Sequence, residues 1–399
     1  MEATPLTKTL DFDDTKLAFA HHSDADLKRT YRLFRMIDSP LLTRIGPPLV
    51  TFALRIGLPM EKLIRRTIFD IFCGGTSLPD TAERSDALHS AGVYTILDYS
   101  VEGEKSEKGF DATRDEIIAT IDHGARHEAV AFSAMKVTGI AHFDYLAKND
   151  TQQTLTEAER TSLLRAKARM EAIGQRAFDL QQPVFVDAEE SWIQRTVDRW
   201  TEEMMERFNH GKAVVYHTVQ LYRHDRLEYL RELIARAEEK GYLLGVKLVR
   251  GAYLEKENDR AQERGYSTPM QPDKASTDRD YDAAVRLCLD HIDRVAICAG
   301  THNAESSRIL ADLMLERGLS PKHPHVLFAQ LLGMSDNISF NLAHHGYNVA
   351  KYLPYGPVKA VLPYLFRRAD ENTAIAGQSS REVKLLRREV QRRRQSARR

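Results

Sequence analysis

The chain has 399 residues, a length that suits one large domain or two ordinary ones. Hydrophobic residues make up 42% of it and charged residues 29%, a composition typical of a globular protein with a sizeable core. The formal net charge is zero, which excludes a global electrostatic attraction to nucleic acid or to a membrane surface.

The N-terminal residues, MEATPLTKTLDFDDTK, are acidic and lack an apolar core, unlike a secretory signal or an Arg-rich transit peptide. The longest apolar runs, such as LVTFALRIGL, are too short to span a bilayer. The cysteines Cys73, Cys288 and Cys298 lie far apart and form no CxxC pair, which argues against a disulfide framework or a structural zinc site. We therefore predict a cytoplasmic protein.

The first part of the chain, residues 1–90, is predicted to be a helical segment. Leu27, Tyr31 and Phe34 recur at the spacing of one helix face. The stretch CGGTSLPDT, from residue 73 to residue 81, is predicted to be a loop because of its Gly, Pro, Ser and Asp content.

After residue 90, short apolar runs alternate regularly with longer amphipathic runs of helical spacing. Eight strands, each followed by a helix, predict an α/β fold of the (β/α)8 barrel type over residues 91–375. The runs are apolar almost throughout, as in strands that are buried on both faces. An open doubly wound sheet has the same alternation, so the count of eight decides for the barrel. The predicted strands are 93–99, 130–137, 183–187, 213–220, 243–249, 295–299, 325–330 and 347–353.

The last part of the chain, residues 376–399, is predicted to be a basic tail. Its sequence REVKLLRREVQRRRQSARR has nine basic residues against two acidic ones. Such a run is usually a solvated end, and the alternative is a loose contact with anionic lipid or another acidic partner.

Polar side chains recur where the predicted strands end. A barrel of this type has its active site at the C-terminal ends of its strands. One buried Lys or Asp is also consistent with a structural ion pair, but repetition at nearly every strand end favours a site. The residues concerned are Asp98, Lys136, Asp187, Gln220, Lys247, Thr301, Gln330 and Tyr352.

Paired arginines follow the last predicted strand in YLPYGPVKAVLPYLFRRADEN, which also contains a predicted Pro-Tyr-Gly-Pro turn. Tyr364, Arg367, Arg368 and Glu371 share one helix face. One interpretation is a surface face on which Arg367 pairs with Glu371. The other is a site for a small carboxylate, gripped by two guanidinium groups, with an acid such as Glu102 aiming one of them.

Known nucleotide and metal motifs are absent from the sequence. Without GxGxxG or GxxxxGK[ST], a Rossmann or P-loop site is not expected. No HExxH or Cys/His cluster indicates a catalytic metal. Among fifteen scattered histidines, we single out His302 in the THN stretch after the sixth predicted strand.

Several motifs together resemble the proline dehydrogenase family, the FAD-dependent first enzymes of proline breakdown. They are ILDYSVE, VDAEES, KLVRGAY, FAQLLGMSD and YLPYGP followed by YLFRRADEN, and they span about Ile96 to Asn372 in the family's order. The resemblance is to the single-function enzymes. It implies a distorted (β/α)8 barrel of the TIM type, with N-terminal helices and with the last helix over the barrel mouth.

The resemblance also implies roles for individual residues. Asp187 and Lys247 match catalytic positions, the first below the flavin and the second near its reactive edge. The matched substrate-binding residues are Lys136, Leu331, Tyr352, Tyr364, Arg367 and Arg368, with Glu102 as partner of the first arginine. The matched FAD-binding residues are Ala188, Gln220, Lys247, Val249, Arg250, Gly251, Ala252, Tyr253, Thr301, His302, Asn303, Gln330 and Glu371.

Two positions bear on how closely the chain follows the family. Some members have Arg where this chain has Lys247, so the charge is kept while the two-point hydrogen-bonding geometry is lost. Relatives that oxidise hydroxyproline tend to have a smaller residue at the position of Tyr352. The tyrosine therefore favours plain proline.

The implied reaction is hydride transfer from C5 of L-proline to N5 of FAD, which gives 1-pyrroline-5-carboxylate. Electrons would pass on to a quinone, with the basic tail as a reason to expect transient contact with the inner membrane. Oxidation of 4-hydroxyproline is a second hypothesis. A non-catalytic barrel that binds flavin or a carboxylate metabolite is a third.

Overall fold

The computed structural model describes residues 10–37, 61–101, 104–374 and 378–397, except for the side chains of residues 63 and 368–380. Eight parallel strands form one closed barrel in chain order, in which the first strand pairs with both the second and the last. This confirms the predicted (β/α)8 barrel, with every strand end within two residues of its predicted place. The strands are β1 (Tyr94–Tyr99), β2 (Val130–Lys136), β3 (Val184–Asp187), β4 (Val215–Gln220), β5 (Leu244–Val249), β6 (Val295–Gly300), β7 (Val326–Leu331) and β8 (Val349–Tyr355).

The end of β8 differs from the prediction. The strand continues through Pro354 and Tyr355, so the predicted Pro-Tyr-Gly-Pro turn begins only at Gly356, whose φ is 143°. Pairing with β7 ends at Tyr352. Beyond that point the Pro354 carbonyl accepts a hydrogen bond of 2.8 Å from the Gly74 N–H. Pro354 has no N–H group to donate, but it lies beyond the paired part of β7, so the sheet loses no hydrogen bond there.

The described N-terminal residues are mainly helical, as predicted. A π-helical turn, Arg65–Phe69, joins two short helices there. The predicted loop is also present, because helix α5 begins only at Thr81. The helices are α1 (Thr15–Ala18), α2 (Asp24–Ile37), α3 (Glu61–Ile64), α4 (Asp70–Phe72) and α5 (Thr81–Ser90).

The barrel helices include two that the periodicity did not predict. Phe143–Asp150 precedes the long helix after β2, and Leu254–Arg264 directly follows the loop after β5. The long helix begins with a capping box between Thr156 and Glu159. The set is α6 (Glu107–Gly124), α7 (Phe143–Asp150), α8 (Glu157–Leu180), α9 (Ser191–Phe208), α10 (Arg226–Lys240), α11 (Leu254–Arg264), α12 (Lys274–Asp290), α13 (Ala304–Glu316), α14 (Asp336–His344) and α15 (Val358–Ala374), with a 3₁₀ turn at Val137–Gly139.

The barrel interior is filled with side chains below its C-terminal mouth. Phe132 stacks on Phe185 with ring centroids 4.3 Å apart, and Tyr216 meets both rings edge-on. Small residues such as Ala296 and Ala350 complete this inner cluster. The barrel is therefore closed below these rings, and a ligand has access from the mouth.

The predicted basic tail is instead a helix, α16 (Gln378–Ser396), so the expectation of a solvated end is wrong for the described part. Leu385, Leu386 and Val390 are buried in a second apolar cluster with residues of α2 and α15. Glu389 is fully buried and accepts hydrogen bonds from Arg392 and Arg393. An apolar stripe of helical spacing within the basic run explains the packing.

Cys73, Cys288 and Cys298 are buried and free. Within the described ranges, no helix combines the length and the apolarity needed to cross a bilayer. The division of the chain at residues 90 and 375 stays a prediction.

Candidate functional site

A cavity of about 510 Å³ opens at the C-terminal mouth of the barrel. Its walls come from the ends of the strands, from the loops that follow them and from α15. The structure thus brings together residues that are far apart in the sequence, although it leaves their individual roles as predictions. The predicted residues that line it are Lys136, Asp187, Ala188, Gln220, Lys247, Val249, Arg250, Gly251, Ala252, Tyr253, Thr301, His302, Asn303, Gln330, Leu331, Tyr352, Tyr364 and Arg367.

Three predicted residues lie outside what the structure describes. Glu102 is outside the described ranges, and the side chains of Arg368 and Glu371 are not described. The alternative of a surface ion pair between Arg367 and Glu371 therefore stays open.

A group of charged side chains forms the floor of the cavity around Asp187. One carboxylate oxygen of Asp187 accepts a hydrogen bond from Lys247, and the other accepts one of 2.8 Å from the Tyr352 hydroxyl. The ammonium of Lys136 lies 3.8 Å from Asp187 and 3.4 Å from Asp98. Two lysines thus face two aspartates, an arrangement that balances their charges; Lys247 and Asp98 are buried, and Lys136 and Asp187 are partly exposed to the cavity.

The two aspartates of this floor have opposite pKa shifts. Burial alone would raise the pKa of Asp187, but Lys247, Lys136 and the hydrogen bond from Tyr352 hold it below its usual value. Burial outweighs Lys136 at Asp98 and raises the pKa of that carboxyl. Burial, together with Asp187, also raises the pKa of Tyr352 well above its usual value. Asp187 is therefore ionised at neutral pH, and Tyr352 is a neutral hydrogen-bond donor.

Helix α15 brings Tyr364 and Arg367 to the cavity from above. Tyr364 is buried and also belongs to the outer apolar cluster that anchors the helix. The Arg367 guanidinium carbon lies 5.8 Å from the ring centroid of Tyr253, which follows β5 on the other side of the mouth. Arg367 is thus aimed into the mouth, where it can meet a carboxylate.

The loop after β5 is shaped by Gly251. Its φ is 140°, and a Cβ atom there would lie 2.5 Å from the ring of Tyr222. Only glycine fits this conformation and this space, so the backbone of the RGAY stretch lies directly at the cavity wall.

Arg250 is held firmly by protein groups. Its guanidinium donates to Asp278 at 2.6 Å, to Thr301 at 2.7 Å and to Ser306 at 3.0 Å. It also lies 4.4 Å from the ring centroid of Tyr281. A predicted role in cofactor binding must therefore use its remaining donor capacity or its long-range charge.

Asn303 and His302 are likewise oriented by their neighbours. The Asn303 side chain caps α13 by accepting from the backbone N–H groups of Glu305 and Ser306. Nδ1 of His302 lies 2.9 Å from the hydroxyl oxygen of Ser335. Since Ala304, the first residue of α13, also lines the cavity, the positive end of this helix faces it and suits an anionic group.

Buried polar atoms in the wall indicate a polar ligand. Gln220 donates from Nε2 to the Glu189 carbonyl, but its Oε1 atom is buried without a partner among the described residues. The same holds for the hydroxyl of Thr218. Both residues line the cavity. Unpaired buried groups cost stability, so a ligand with ring N–H and carbonyl groups would complete the site.

Sequence reasoning did not single out several lining residues. Two of these residues are basic, and they extend the positive part of the cavity: Lys274 begins α12, and Arg381 comes from the helix predicted as a tail. Arg381 also lies 3.7 Å from Asp13. The others are small or apolar residues of the strands and of the first turn of α13, for which the sequence holds no distinct signal. The full set is Ile96, Thr218, Lys274, Gly300, Ala304, Ala329 and Arg381.

Comparison with known proteins agrees with this architecture. The chain is 36% identical over 324 residues to the "Carbapenem antibiotics biosynthesis protein CarD" of Pectobacterium carotovorum subsp. carotovorum, covering 81% of this chain and 84% of that protein. It is 28% identical to "Proline dehydrogenase 1, mitochondrial" of Dictyostelium discoideum, covering 96% and 75%. It is also 28% identical to the "Hydroxyproline dehydrogenase" of Xenopus laevis, covering 94% and 88%.

Among solved structures, the proline utilization A protein (PutA) of Bdellovibrio bacteriovorus inactivated by N-propargylglycine has the same fold, with a TM-score of 0.70 at 19% identity. The match covers 91% of this chain but only 38% of that longer one. Residues 81–381 match the sequence profile of the family described as proline dehydrogenase. The chain therefore belongs to the proline dehydrogenase family of oxidoreductases.

Proposed function

We propose that this chain oxidises L-proline to 1-pyrroline-5-carboxylate, the first step of proline catabolism, by hydride transfer from C5 of the substrate to N5 of FAD. Family membership supports the reaction class. The observation that carries the proposal is that Arg367 and Lys136 meet the Asp187, Lys247 and Tyr352 group in one cavity at the barrel mouth.

The charges in the cavity suit an amino acid carboxylate. Lys136 and Lys247 are balanced by Asp98 and Asp187, so the floor alone has little charge left for an anion. Arg367 adds positive charge from above, and Arg368 is proposed to do the same. The substrate carboxylate would bind to this excess charge, and Lys136 would be a third contact.

The apolar walls suit a small ring. Tyr352, Tyr364 and Leu331 line the cavity close to the charged floor. Together with the arginines they would hold proline in one orientation, so that catalysis comes largely from positioning. Helix α15 lines the cavity through Tyr364 and Arg367, and it would limit the access of water to a bound substrate.

The residues of the cavity fit FAD. The unpaired polar atoms of Gln220 and Thr218 suit a flavin ring, and the α13 N-terminus with Lys274 and Arg381 suits a pyrophosphate. The remaining proposed contacts are those named from the resemblance. When bound, FAD supplies the hydride acceptor. The positive charge of Lys247 would favour the reduced cofactor, and ionised Asp187 would keep Lys247 in place.

Electron acceptor and location are part of the proposal. A quinone as acceptor and a cytoplasmic location with transient membrane contact follow the sequence analysis, whereas the name of the Dictyostelium relative places that protein in mitochondria. The exposed face of α16 would make the contact, through Lys384, Arg387, Arg388 and Arg394.

Oxidation of 4-hydroxyproline is the second candidate, and a relative with that name supports it. Tyr352 argues against it, because its side chain is 9% exposed and its hydroxyl is bound to Asp187, which leaves little room for a substrate hydroxyl. A non-catalytic flavin-binding barrel is the third candidate.

The test is the visible spectrum of the purified full-length protein before and after anaerobic addition of substrate. We expect a yellow protein that L-proline bleaches at much lower concentration than 4-hydroxyproline. Preferential bleaching by hydroxyproline would favour the second candidate. Bound flavin that neither amino acid reduces would favour the third, and a protein that cannot be loaded with FAD would refute the proposed function.

A further inference from the structure

A second group of polar side chains lies outside the barrel wall, between the N-terminal segment and the beginning of α14. Nε2 of His22 lies 3.2 Å from Oδ2 of Asp336, and Nε2 of His21 lies 3.8 Å from the same oxygen. All three donor atoms are within 4.8 Å of one another. Both histidines thus present the same ring nitrogen to one carboxylate oxygen.

These distances suit a bound metal ion. With metal–ligand bonds of about 2.0–2.1 Å, as for Zn²⁺ with His and carboxylate, the ligand atoms of a tetrahedral site lie roughly 3.3 Å apart. The two observed separations of 3.2 and 3.8 Å are close to this value. Two imidazoles and one carboxylate are a donor set that transition metals accept, and water can supply the fourth position.

The other oxygen of the carboxylate is already held. Oδ1 of Asp336 lies 2.7 Å from the ammonium of Lys351, a fully buried side chain that also donates to the Met334 carbonyl at 2.5 Å. Lys351 fixes the carboxylate so that Oδ2 faces the histidines. Metal-binding carboxylates commonly have such a second partner.

The histidines are also held in place by the protein. The Arg393 guanidinium donates to the backbone carbonyls of His22 at 2.9 Å and of Phe19 at 2.7 Å. The ring of His21 packs on Phe340, with centroids 3.6 Å apart. The site is therefore largely preformed, with side-chain exposures of 25% for His21, 22% for His22 and 12% for Asp336.

The local charge allows a cation. Lys351 and Arg393 are the positive groups nearby, and Arg393 is paired with Asp24 and Glu389. Buried Glu382, on α16, lies against the same loop, where it accepts a 2.6 Å hydrogen bond from the Ser335 N–H. Asp24 and Glu389 thus offset Arg393, and Asp336 itself is paired with Lys351.

We propose that His21, His22 and Asp336 bind a divalent transition-metal ion, for which Zn²⁺ has the best-fitting coordination chemistry. The ion links the segment after α1 to the first residue of α14. Its role is structural, because it lies on the outer side of the barrel wall. It holds the N-terminal helices against the barrel and, through the outer apolar cluster, supports α15.

The test is a calorimetric titration of the chelator-treated full-length protein with Zn²⁺, followed by Co²⁺ absorption spectra as a probe of geometry. We expect one Zn²⁺ per chain at this site, an absorption spectrum of tetrahedral Co²⁺, and a melting temperature that rises by a few degrees when Zn²⁺ is in excess. The H21A/H22A double variant should lose all three responses.

H123A is the matched control, because His123 and His127 form another close pair, with ring centroids 3.8 Å apart. It should keep the tetrahedral Co²⁺ spectrum and the thermal response. If the double variant does not fold, the single variants H21Q and H22Q, which keep a polar side chain, should each weaken Zn²⁺ binding at least tenfold. Wild-type protein without Zn²⁺ uptake, or uptake unchanged by these substitutions, would show that the histidines are only hydrogen-bonded to Asp336.

Discussion

Two lysine–aspartate pairs lie on opposite sides of the barrel wall. Lys247 and Asp187 face the cavity, where Tyr352 and Lys136 share the carboxylate. Lys351, next to Tyr352 on β8, points outward to Asp336, because neighbouring residues of a strand face opposite sides. The inner pair opens onto a cavity, whereas the outer ammonium is enclosed by protein.

The surroundings of the two pairs indicate different roles. The inner pair lies near buried acceptors that have no partner in the described part of the chain, and a cavity of about 510 Å³ lies above it. The outer lysine is fully buried and donates to the carbonyls of Leu331, at the end of β7, and of Met334, in the loop that precedes α14. A lysine–aspartate pair thus suits ligand binding inside the barrel and stabilisation of a loop outside it.

The largest expected effect is a loss of unfolding free energy in the K351M variant. It leaves Asp336 buried opposite an apolar side chain, and losing one partner of a buried ion pair typically costs about 3–5 kcal/mol. K247M should cost only about 1–3 kcal/mol, because Asp187 keeps Lys136 and Tyr352 and can reach water in the cavity. Denaturant unfolding followed by circular dichroism measures both. Equal losses in the two variants would contradict the distinction between the pairs.

A second comparison uses the pH dependence of stability. Burial, and next to it the negative charge of Asp336, raises the pKa of Glu382 to about 7. Burial also raises the pKa of Glu189 to about 7. A raised pKa means that folding favours the protonated acid. Its stabilising contribution is complete below the unfolded value of about 4.3 and is lost as the pH rises to about 7.

E382Q removes this loss, since the amide cannot ionise. Relative to wild type, its unfolding free energy should increase on the order of 3 kcal/mol between pH 4 and pH 8. E189Q should behave similarly in unfolding, because burial raises the pKa of the Glu189 carboxyl in the same way. A flat difference between E382Q and wild type over this range would refute the account of Glu382.

A smaller effect is expected from Y352F. It removes the hydroxyl that donates to Asp187 but keeps the ring, and water or a ligand in the cavity can replace the lost donor. The unfolding free energy should fall by about 1 kcal/mol or less. Flavin reduction by proline should slow, which rapid mixing under anaerobic conditions measures. A large loss of stability would mean that the inner group is mainly structural.

The smallest effect is expected from R381A, at the point where α16 reaches the cavity. The side chain is 44% exposed, so its interaction with a cofactor phosphate is screened by water. FAD affinity should fall only a few-fold, about 1 kcal/mol or less, and the difference should shrink at high salt. Fluorescence titration of apoprotein with FAD measures it. K384A, on the same helix outside the cavity lining, is the control and should leave the affinity unchanged.

The barrel could be predicted from the sequence because its strands are buried on both faces and are therefore nearly continuous apolar runs. The inner pair could also be located, since Asp187 and Lys247 interrupt such runs at strand ends. The prediction of a solvated tail was wrong because it used the number of charges and not the helical spacing of Leu385, Leu386 and Val390. The outer pair joins Asp336 and Lys351 across two elements, and no local pattern indicates such a contact.

The measurement that tests this account most directly is the rate at which L-proline bleaches FAD bound to D187N and to D336N, with oxygen excluded. We expect D187N to bind FAD but to be bleached about a hundredfold or more slowly than wild type, because the charge that fixes Lys247, Lys136 and Tyr352 is lost. D336N should be bleached at close to the wild-type rate despite its lower stability. A D187N rate within a few-fold of wild type, or an equal slowing in D336N, would contradict the assignment of the reaction to the inner pair.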